Sequence, residues 1–265
     1  MALRDGSLDF PNDNKILGVG KTKEEVDAVL TAAGLPVDKL SLTISPLLVR
    51  AADRTLLFDT GAGTSFGPSA GGLTKSLDEA GIGVDSITDI FISHAHGDHV
   101  GGLVNAAGAL SFPNATIHMS SAEWTFLKDM TPAIAAAVGL SQHAQFLAAM
   151  TPKVTTFEPG ADLIPGVVKA VEIRGHTPGH SGYLIGSGAS SLLYTADALH
   201  HYVISVQRPE WKIAFDGDAP TAQKSRSDLL SQSAANGQRI YGVHFPYPAV
   251  GKFAASGEGY VWVPE

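Results

Sequence analysis

The most informative stretch of the chain is residues 90–102, which read IFISHAHGDHVGG. An apolar segment runs directly into three histidines and an aspartate within six positions, and two glycines follow. These polar residues are His94, His96, Asp98 and His99. His94 and His96 are two positions apart, so they project from the same side of an extended chain. The pattern predicts a strand that ends in a cluster of polar side chains.

Imidazole nitrogens and carboxylate oxygens are the ligands that zinc-like ions accept when no thiolate is present. The chain has no cysteine, which excludes a disulfide, a thiolate nucleophile and a cysteine-ligated metal. A single histidine at a strand end is usually a surface or hydrogen-bonded residue. Four ligand-type side chains within six positions instead indicate a metal site. We expect His94 and His96 to face one ion, with Asp98 and His99 in the turn facing a second.

Two ions with open coordination positions need about six or seven protein ligands, so others must come from elsewhere in the chain. Three later segments place a ligand-type residue just beyond an apolar run. They are residues 175–180 (GHTPGH), 194–197 (YTAD) and 241–244 (YGVH). Loops at one edge of a sheet can bring such residues together.

Short apolar runs bounded by turn residues recur along the chain and predict strands. The runs are Leu42–Val49, Thr55–Phe58, Ile87–Ile92, Ala115–Met119, Val167–Ile173, Leu192–Tyr194 and Arg239–Val243. Segments with helical spacing and capping residues lie between them. They are a helix from Thr22 that closes at Gly34, Leu73–Ala80 ending at Gly81, a helix that begins near Ser120 with Glu123 in the capping-box position, Pro132–Met150, and Thr221–Asn236 closed by Gly237. Since no linker separates the halves, we expect one α/β domain over residues 1–265.

Composition narrows the classes of partner. The 265 residues are 44% hydrophobic and 17% charged, which is enough apolar material for a sizeable core. The net charge is −8 and no cluster of basic residues occurs, which argues against a nucleic-acid partner. No apolar run approaches the roughly 20 residues that a bilayer-spanning helix needs. We expect no membrane association and a cytoplasmic location, or a periplasmic or secreted one if a leader has been removed.

Taken in order, these motifs resemble the metallo-β-lactamase superfamily. The resemblance consists of the HAHGDH motif at 94–99, the second histidine motif at 175–180, Asp197, His244, and an upstream structural motif at 59–61 (DTG). It implies an αββα sandwich in which two mixed β-sheets are flanked by helices. The site would lie on one edge, between the two sheets.

The resemblance also implies a ligand set and a cofactor. The first ion would be held by His94, His96 and His176, the second by Asp98, His99 and His244, and both by Asp197. We expect two divalent ions. Zinc is the preferred metal, and iron, manganese or cobalt are the alternatives. Many β-lactamases of the superfamily use a cysteine ligand, so its absence favours the hydrolase branches over β-lactam hydrolysis.

Five segments resemble the methyl parathion hydrolase and lactonase branch of the superfamily. They are residues 66–68 (FGP), 102–105 (GLVN), 112–116 (FPNAT), 163–167 (LIPGV) and 257–264 (GEGYVWVP). Relatives in this branch are often homodimers, so we expect a homodimer here. The small-molecule partner would be a lactone, an ester or a phosphotriester.

The implied reaction is hydrolysis of lactones or aryl esters by a hydroxide that bridges the two ions, with promiscuous phosphotriesterase activity. Asp98 is the expected catalytic residue, because a carboxylate that hydrogen-bonds the hydroxide orients it and can pass its proton to the leaving group. Two alternatives stay open: a thioesterase of the glyoxalase type and a mononuclear iron persulfide dioxygenase.

Further residues are assigned to the surroundings of the site. Asp59 and His180 are expected to support the ligands through hydrogen bonds. Substrate pockets are mostly apolar with a few polar anchors. The candidate pocket residues are Phe66, Trp124, Phe126, His200, His201 and Phe215.

Overall fold

The computed structural model describes residues 1–257 and 259–265, so Glu258 of the closing segment lies outside the described residues. The chain forms two compact units. The first unit comprises Met1–Leu8 and Ile44–Ala161, and the second comprises Asp9–Thr43 and Asp162–Glu265. No helix in the described part of the chain combines the length and the apolarity that crossing a bilayer requires.

The described residues form sixteen strands and eight α-helices. The strands are β1 (Gly6–Pro11), β2 (Leu17–Val19), β3 (Lys39–Ile44), β4 (Leu47–Ala51), β5 (Arg54–Phe58), β6 (Asp89–Phe91), β7 (Thr116–Ser120), β8 (Val154–Phe157), β9 (Asp162–Ile164), β10 (Val168–Glu172), β11 (Ser181–Ile185), β12 (Leu192–Tyr194), β13 (Lys212–Ile213), β14 (Arg239–Tyr241), β15 (Val250–Ser256) and β16 (Gly259–Pro264). The α-helices are α1 (Lys23–Ala32), α2 (Leu73–Glu79), α3 (Gly97–Val100), α4 (Ser121–Asp129), α5 (Pro132–Ala137), α6 (His143–Met150), α7 (Ile204–Gln207) and α8 (Ala219–Asn236).

A mixed five-stranded sheet, in the order β4-β5-β6-β7-β8, is the frame of the first unit. β4 pairs antiparallel with β5, and the remaining neighbours are parallel. Its buried core joins strand residues such as Leu57 and Ile90 to Leu77 of α2 and Leu127 of α4. Because the carboxyl ends of parallel strands share one edge, the segments after β5, β6 and β7 lie close together.

A mixed seven-stranded sheet, in the order β16-β15-β14-β12-β11-β10-β9, is the frame of the second unit. β10 is antiparallel to β11 and β11 to β12, while β12 and β14 are parallel. Strands β10, β12 and β14 therefore run in the same direction. The segments that follow them emerge at one edge of this sheet, and each carries a ligand-type residue singled out in the sequence.

Helix ends follow the sequence signals. Thr22 accepts the backbone N–H of Glu25, whose carboxylate accepts the N–H of Thr22, so the predicted capping box of α1 is present. The long helix α8 ends at Gly237, whose φ of 63° is left-handed. These contacts satisfy backbone groups that the helix itself leaves unpaired.

Two predicted elements are divided in the structure. The run Leu42–Val49 contains the end of β3 and most of β4, because Pro46 lies between them and has no N–H to donate to a ladder. The predicted helix Pro132–Met150 is two helices, α5 and α6. Gly139 has a φ of 83° and turns the chain after α5.

Candidate metal-binding clusters

The segment of residues 93–99, which we call the histidine loop, follows β6 at the carboxyl edge of the first unit's sheet and includes the first three residues of α3. His94 and His99 are fully buried, while His96 and Asp98 are half-buried. A ligand atom of His94 lies within 4.8 Å of one on His96, and the same holds for Asp98 and His99. The ring centroids of His94 and His99 are 4.0 Å apart. The structure therefore gathers all four predicted ligands of this stretch in one loop.

Asp59 holds the histidine loop in place from the end of β5. Its Oδ1 accepts the backbone N–H of Ser93 at 2.8 Å, and its Oδ2 accepts the Ser93 hydroxyl at 2.7 Å. Oδ2 is also 2.7 Å from Nδ1 of His99. Asp59 adopts a left-handed φ of 57°, a conformation that aspartate tolerates better than most non-glycine residues.

These contacts select which ring nitrogen carries the lone pair. Nδ1 of His99 faces a carboxylate oxygen, so this nitrogen donates and Nε2 is the acceptor. The hydroxyl proton of Ser93 is used on Asp59, so Nδ1 of His94, 3.0 Å from Ser93 Oγ, donates to it. Both rings therefore direct the lone pair of Nε2 away from the supporting residues, as hydrogen bonds to metal-binding histidines commonly do.

Two backbone contacts fix the middle of the histidine loop. The N–H of Ala95 donates to the buried carboxylate of Glu123 at 2.7 Å. The N–H of Gly97 donates to Val138 O at 2.7 Å, and a Cβ at this glycine would lie 2.8 Å from that oxygen. Glu123 was expected in a capping box, and Ser120 does accept its N–H. Its carboxylate, however, supports the histidine loop.

The second unit gathers three imidazoles around one buried carboxylate. Asp197 follows β12, and its Oδ2 lies 3.4 Å from Nε2 of His176 and 3.2 Å from Nε2 of His200. Its other oxygen, Oδ1, lies 3.1 Å from Nε2 of His244. All four side chains are buried. The two oxygens of Asp197 thus face different histidines.

The remote nitrogens of two of these rings contact acceptors. Nδ1 of His244 is 2.7 Å from Thr43 O, and Nδ1 of His176 is 3.1 Å from Oδ1 of Asp216. Each Nδ1 is therefore placed to donate, and each Nε2 faces an oxygen of Asp197. Burial alone would raise the pKa of Asp216, but the His176 hydrogen bond and the charges of His200 and Arg226 lower it to about 2. Asp216 is accordingly a carboxylate at neutral pH.

His180 and His201 contact backbone groups. Nδ1 of His180 is 2.8 Å from Ile173 O, and its Nε2 accepts the N–H of Asp197 at 3.1 Å. Nδ1 of His201 accepts two N–H groups at the start of α7, and burial lowers its pKa to about 4. Of the pair at 200 and 201, it is therefore His200 whose ring lies beside Asp197.

The aromatic candidates differ in their surroundings. Trp124 and Phe126 pack against the core of the first unit. Phe215 packs on a core cluster of the second unit, and its ring centroid is 5.6 Å from that of His200. Phe66 is half-buried, and its ring lies against Gly139, so that a Cβ there would come within 2.8 Å of Phe66 Cζ.

The loop that carries Phe66 is fixed by a residue that the sequence reasoning missed. The buried carboxylate of Asp5 accepts the N–H groups of Ala62, Gly71 and Leu73 at 2.9, 3.0 and 3.1 Å. Burial raises its pKa, and these hydrogen bonds act in the opposite direction. Nothing in the local sequence marks Asp5, because its partners lie more than fifty positions away.

The sequence reasoning also missed Asp216 and Arg226, although the position of Arg226 in the pattern of α8 could have identified it. The buried residues of α8 include Ala222, Leu229 and Leu230, and Arg226 lies at the same helical spacing. A charged residue on the apolar stripe of a helix usually has a buried partner.

The family model described as the metallo-beta-lactamase superfamily matches residues 42–244. A solved structure of AidC, a dizinc quorum-quenching lactonase with a product bound, is 30% identical, with 100% of this chain and 93% of that chain covered and a TM-score of 0.92. The hydrolase AbOPH, described as in the beta lactamase superfamily, is 28% identical, with the same coverage of 100% and 93% and a TM-score of 0.89. A probable metal-dependent hydrolase from Staphylococcus aureus is 18% identical, with 100% of this chain and 96% of that chain covered and a TM-score of 0.78. At this identity, the similarity shows the fold alone. Comparison with curated proteins gives no match.

Proposed function

Because the chain belongs to the metallo-β-lactamase superfamily and is a metal-dependent hydrolase, we propose that it hydrolyses lactones and aryl esters at a pair of divalent ions. The family model extends over parts of both units, which supports our further proposal that residues 1–265 act as one domain.

The donor set fits two ions. We propose that the first is held by His94, His96 and His176, the second by Asp98, His99 and His244, and both by Asp197. For His94, His99, His176 and His244, a contact at Nδ1 directs the lone pair of Nε2 away from its supporting residue.

The observation that carries the proposal is the division of the Asp197 carboxylate. Oδ2 faces His176 at 3.4 Å, whereas Oδ1 faces His244 at 3.1 Å. A carboxylate that bridges two ions needs one oxygen directed to each, and these two histidines are the ones assigned to different ions.

When bound, the two ions supply an acidified water as nucleophile and polarise the substrate carbonyl. We propose that a side chain of the protein transfers the proton during the reaction. Asp98 is half-buried and its Oδ2 is 3.6 Å from Nε2 of His99, which supports our assignment of its carboxylate to the site. We propose that Asp98 accepts a proton from the attacking water and holds it while the new C–O bond forms. It returns that proton to the leaving oxygen as the ester C–O bond breaks.

Lactones are the substrate class that we favour. The support is the 30% identical relative, which is described as a quorum-quenching lactonase, and this suggests acyl-homoserine lactones as the first substrates to test. Phe66, His200 and Phe215 are proposed to contact the substrate, since each is an aromatic ring close to a cluster residue or its supporting loop. Trp124 and Phe126 are retained as weaker pocket candidates because they pack on the core.

Three finer statements accompany this proposal. Phosphotriesters are proposed as a second substrate class, because polarisation of a P=O group and attack by the same nucleophile require no new residue. Zinc is proposed as the metal, in line with the dizinc relative. A homodimer is proposed as the assembly, in line with the resemblance to a branch whose members are often homodimers.

The test is a substrate panel with zinc-loaded protein. It contains butyryl- and decanoyl-homoserine lactone, dihydrocoumarin, an aryl acetate, paraoxon and a glutathione thioester. The inactive control is His94→Ala, and the matched histidine control is His143→Gln, since Nε2 of His143 contacts a carbonyl oxygen of α4, Leu127 O, at 2.6 Å.

We expect turnover of at least one lactone by the wild type and by His143→Gln, and none above background by His94→Ala. Turnover of the thioester alone would assign the site to a glyoxalase-type thioesterase instead. Failure of every substrate to exceed the His94→Ala background would contradict the proposed function.

A further inference from the structure

Arg226 is a fully buried arginine on the core-facing side of α8. Its Nε donates to Ala198 O at 2.8 Å, and one terminal nitrogen donates to Pro209 O at 3.0 Å. Its other terminal nitrogen donates to Oδ2 of Asp216 at 2.8 Å. The acceptors of this guanidinium thus lie on three separate segments of the second unit.

Asp216 divides its two oxygens between different partners. Oδ2 accepts from Arg226, and Oδ1 accepts from Nδ1 of His176 at 3.1 Å. The loop that carries Asp216 is also joined by backbone hydrogen bonds to the segment of His176. Gly217 N donates to His176 O at 3.0 Å, and Asp218 N donates to Gly175 O at 2.8 Å.

Arg226 therefore reaches two proposed metal ligands by different routes. Through Asp216 it fixes the ring of His176. Through Ala198 O it fixes the backbone directly after Asp197. Because the guanidinium is planar and its five N–H donors form a rigid fork, these two attachment points are held at a set separation.

We propose that Arg226 is a positioning residue for the metal centre. Through its contacts with Asp216 and Ala198, it holds His176 and Asp197 in fixed positions relative to each other. This inference rests on the proposed function, because it treats His176 and Asp197 as metal ligands. The competing view is that Arg226 and Asp216 form a buried ion pair that stabilises the fold and leaves the ligands unaffected.

Two substitutions separate these views. Arg226→Lys keeps the charge but replaces the fork by a single ammonium, which cannot reach Asp216 and Ala198 O in the same geometry. Asp216→Asn leaves one acceptor oxygen where two are needed. If that oxygen serves Arg226, the amide donates to Nδ1 of His176 and moves the ring proton to Nε2, the ligating nitrogen.

The matched control is Arg239→Lys. Arg239 also donates to a carboxylate, Glu265, at 2.9 Å, but this pair is exposed at the end of the chain. For all variants, zinc affinity is measured by competition with a chelating dye, and the cobalt-substituted proteins are compared by their visible spectra. Circular dichroism and thermal unfolding of the metal-free proteins report the fold.

We expect Arg226→Lys and Asp216→Asn each to weaken the tighter zinc site about 10- to 100-fold and to change the cobalt spectrum, in line with other outer-shell substitutions. The double variant should lose less affinity than the product of the two single losses, because both residues act in one chain of contacts. Arg239→Lys should match the wild type in affinity and spectrum.

Wild-type zinc affinity and an unchanged cobalt spectrum in Arg226→Lys and Asp216→Asn, whatever their thermal stability, would overturn the positioning role. If Arg226→Lys does not fold, Asp216→Asn decides by the same criteria. If the wild type binds two zinc ions but hydrolyses nothing in the panel, the proposed substrate class fails while the positioning role is still judged by affinity. A wild type that binds no zinc would overturn both proposals.

Discussion

Oδ2 of Asp59 lies 2.7 Å from Nδ1 of His99, and both side chains are buried. The same carboxylate accepts the N–H and the hydroxyl of Ser93, so one residue at the end of β5 joins both ends of the histidine loop. We therefore propose that Asp59 supports the proposed ligands through contacts that a neutral or shorter side chain cannot fully reproduce.

Asp59→Ala is expected to lower zinc affinity about 10- to 100-fold, because the ring of His99 loses the partner that orients it. Zinc retained after dialysis against a weak chelator measures the effect. Asp85→Ala, which removes an exposed aspartate from the same unit, is the control and should retain its zinc. Equal zinc content in the two variants would remove the supporting role of Asp59.

Glu123→Ala is expected to lower the free energy of unfolding of the metal-free protein by about 1–3 kcal/mol. The substitution leaves the buried N–H of Ala95 without the carboxylate that accepts it at 2.7 Å. Urea unfolding measures the loss, and Glu123→Gln, which keeps an acceptor oxygen, should recover part of it. A loss as large in Glu123→Gln as in Glu123→Ala would argue against this hydrogen bond as the cause.

Phe66→Ala is expected to reduce kcat/KM for decanoyl-homoserine lactone several-fold more than for the butyryl lactone. The ring of Phe66 lies against Gly139, and we propose that it offers an apolar wall to a long acyl chain. Steady-state kinetics on the two lactones supply the comparison. Equal effects on both would show that Phe66 does not sense chain length.

Removal of zinc is expected to lower the melting temperature by several degrees. A ligand present at about 100 times its dissociation constant stabilises the folded state by about 2.7 kcal/mol. Differential scanning calorimetry with and without a chelator measures the difference. The melting temperature of His94→Ala should respond less to the chelator, and an equal response would locate the stabilising metal elsewhere.

The metallo-β-lactamase fold was predictable from the sequence, and the family match confirms it. That prediction rests on the resemblance of the ordered motifs to the superfamily, because the apolar run before HAHGDH at 94–99 by itself indicates only a strand end with candidate ligands. Two predicted elements were too long because the prediction used apolar periodicity alone. Pro46 and Gly139, which interrupt these elements in the structure, do not change that periodicity.

The supporting residues were less accessible to sequence reasoning. Glu123 matched a capping-box pattern, so the local pattern offered no reason to look for a distant partner. In the structure its carboxylate accepts the N–H of Ala95, 28 positions away. Asp216 reaches His176 across 40 positions through a loop with no distinctive composition. Such contacts depend on which loops meet at a sheet edge, and this is a property of the folded chain.

The central claim is that seven histidine and aspartate side chains hold two divalent ions. Elemental analysis of the purified, untagged protein tests it most directly, with His99→Ala and His176→Ala measured alongside. We predict about two ions per chain in the wild type, of which zinc is the main element, and fewer in each variant. One iron per chain in the wild type, with oxygen uptake on a persulfide, would contradict the claim and assign the protein to the dioxygenases.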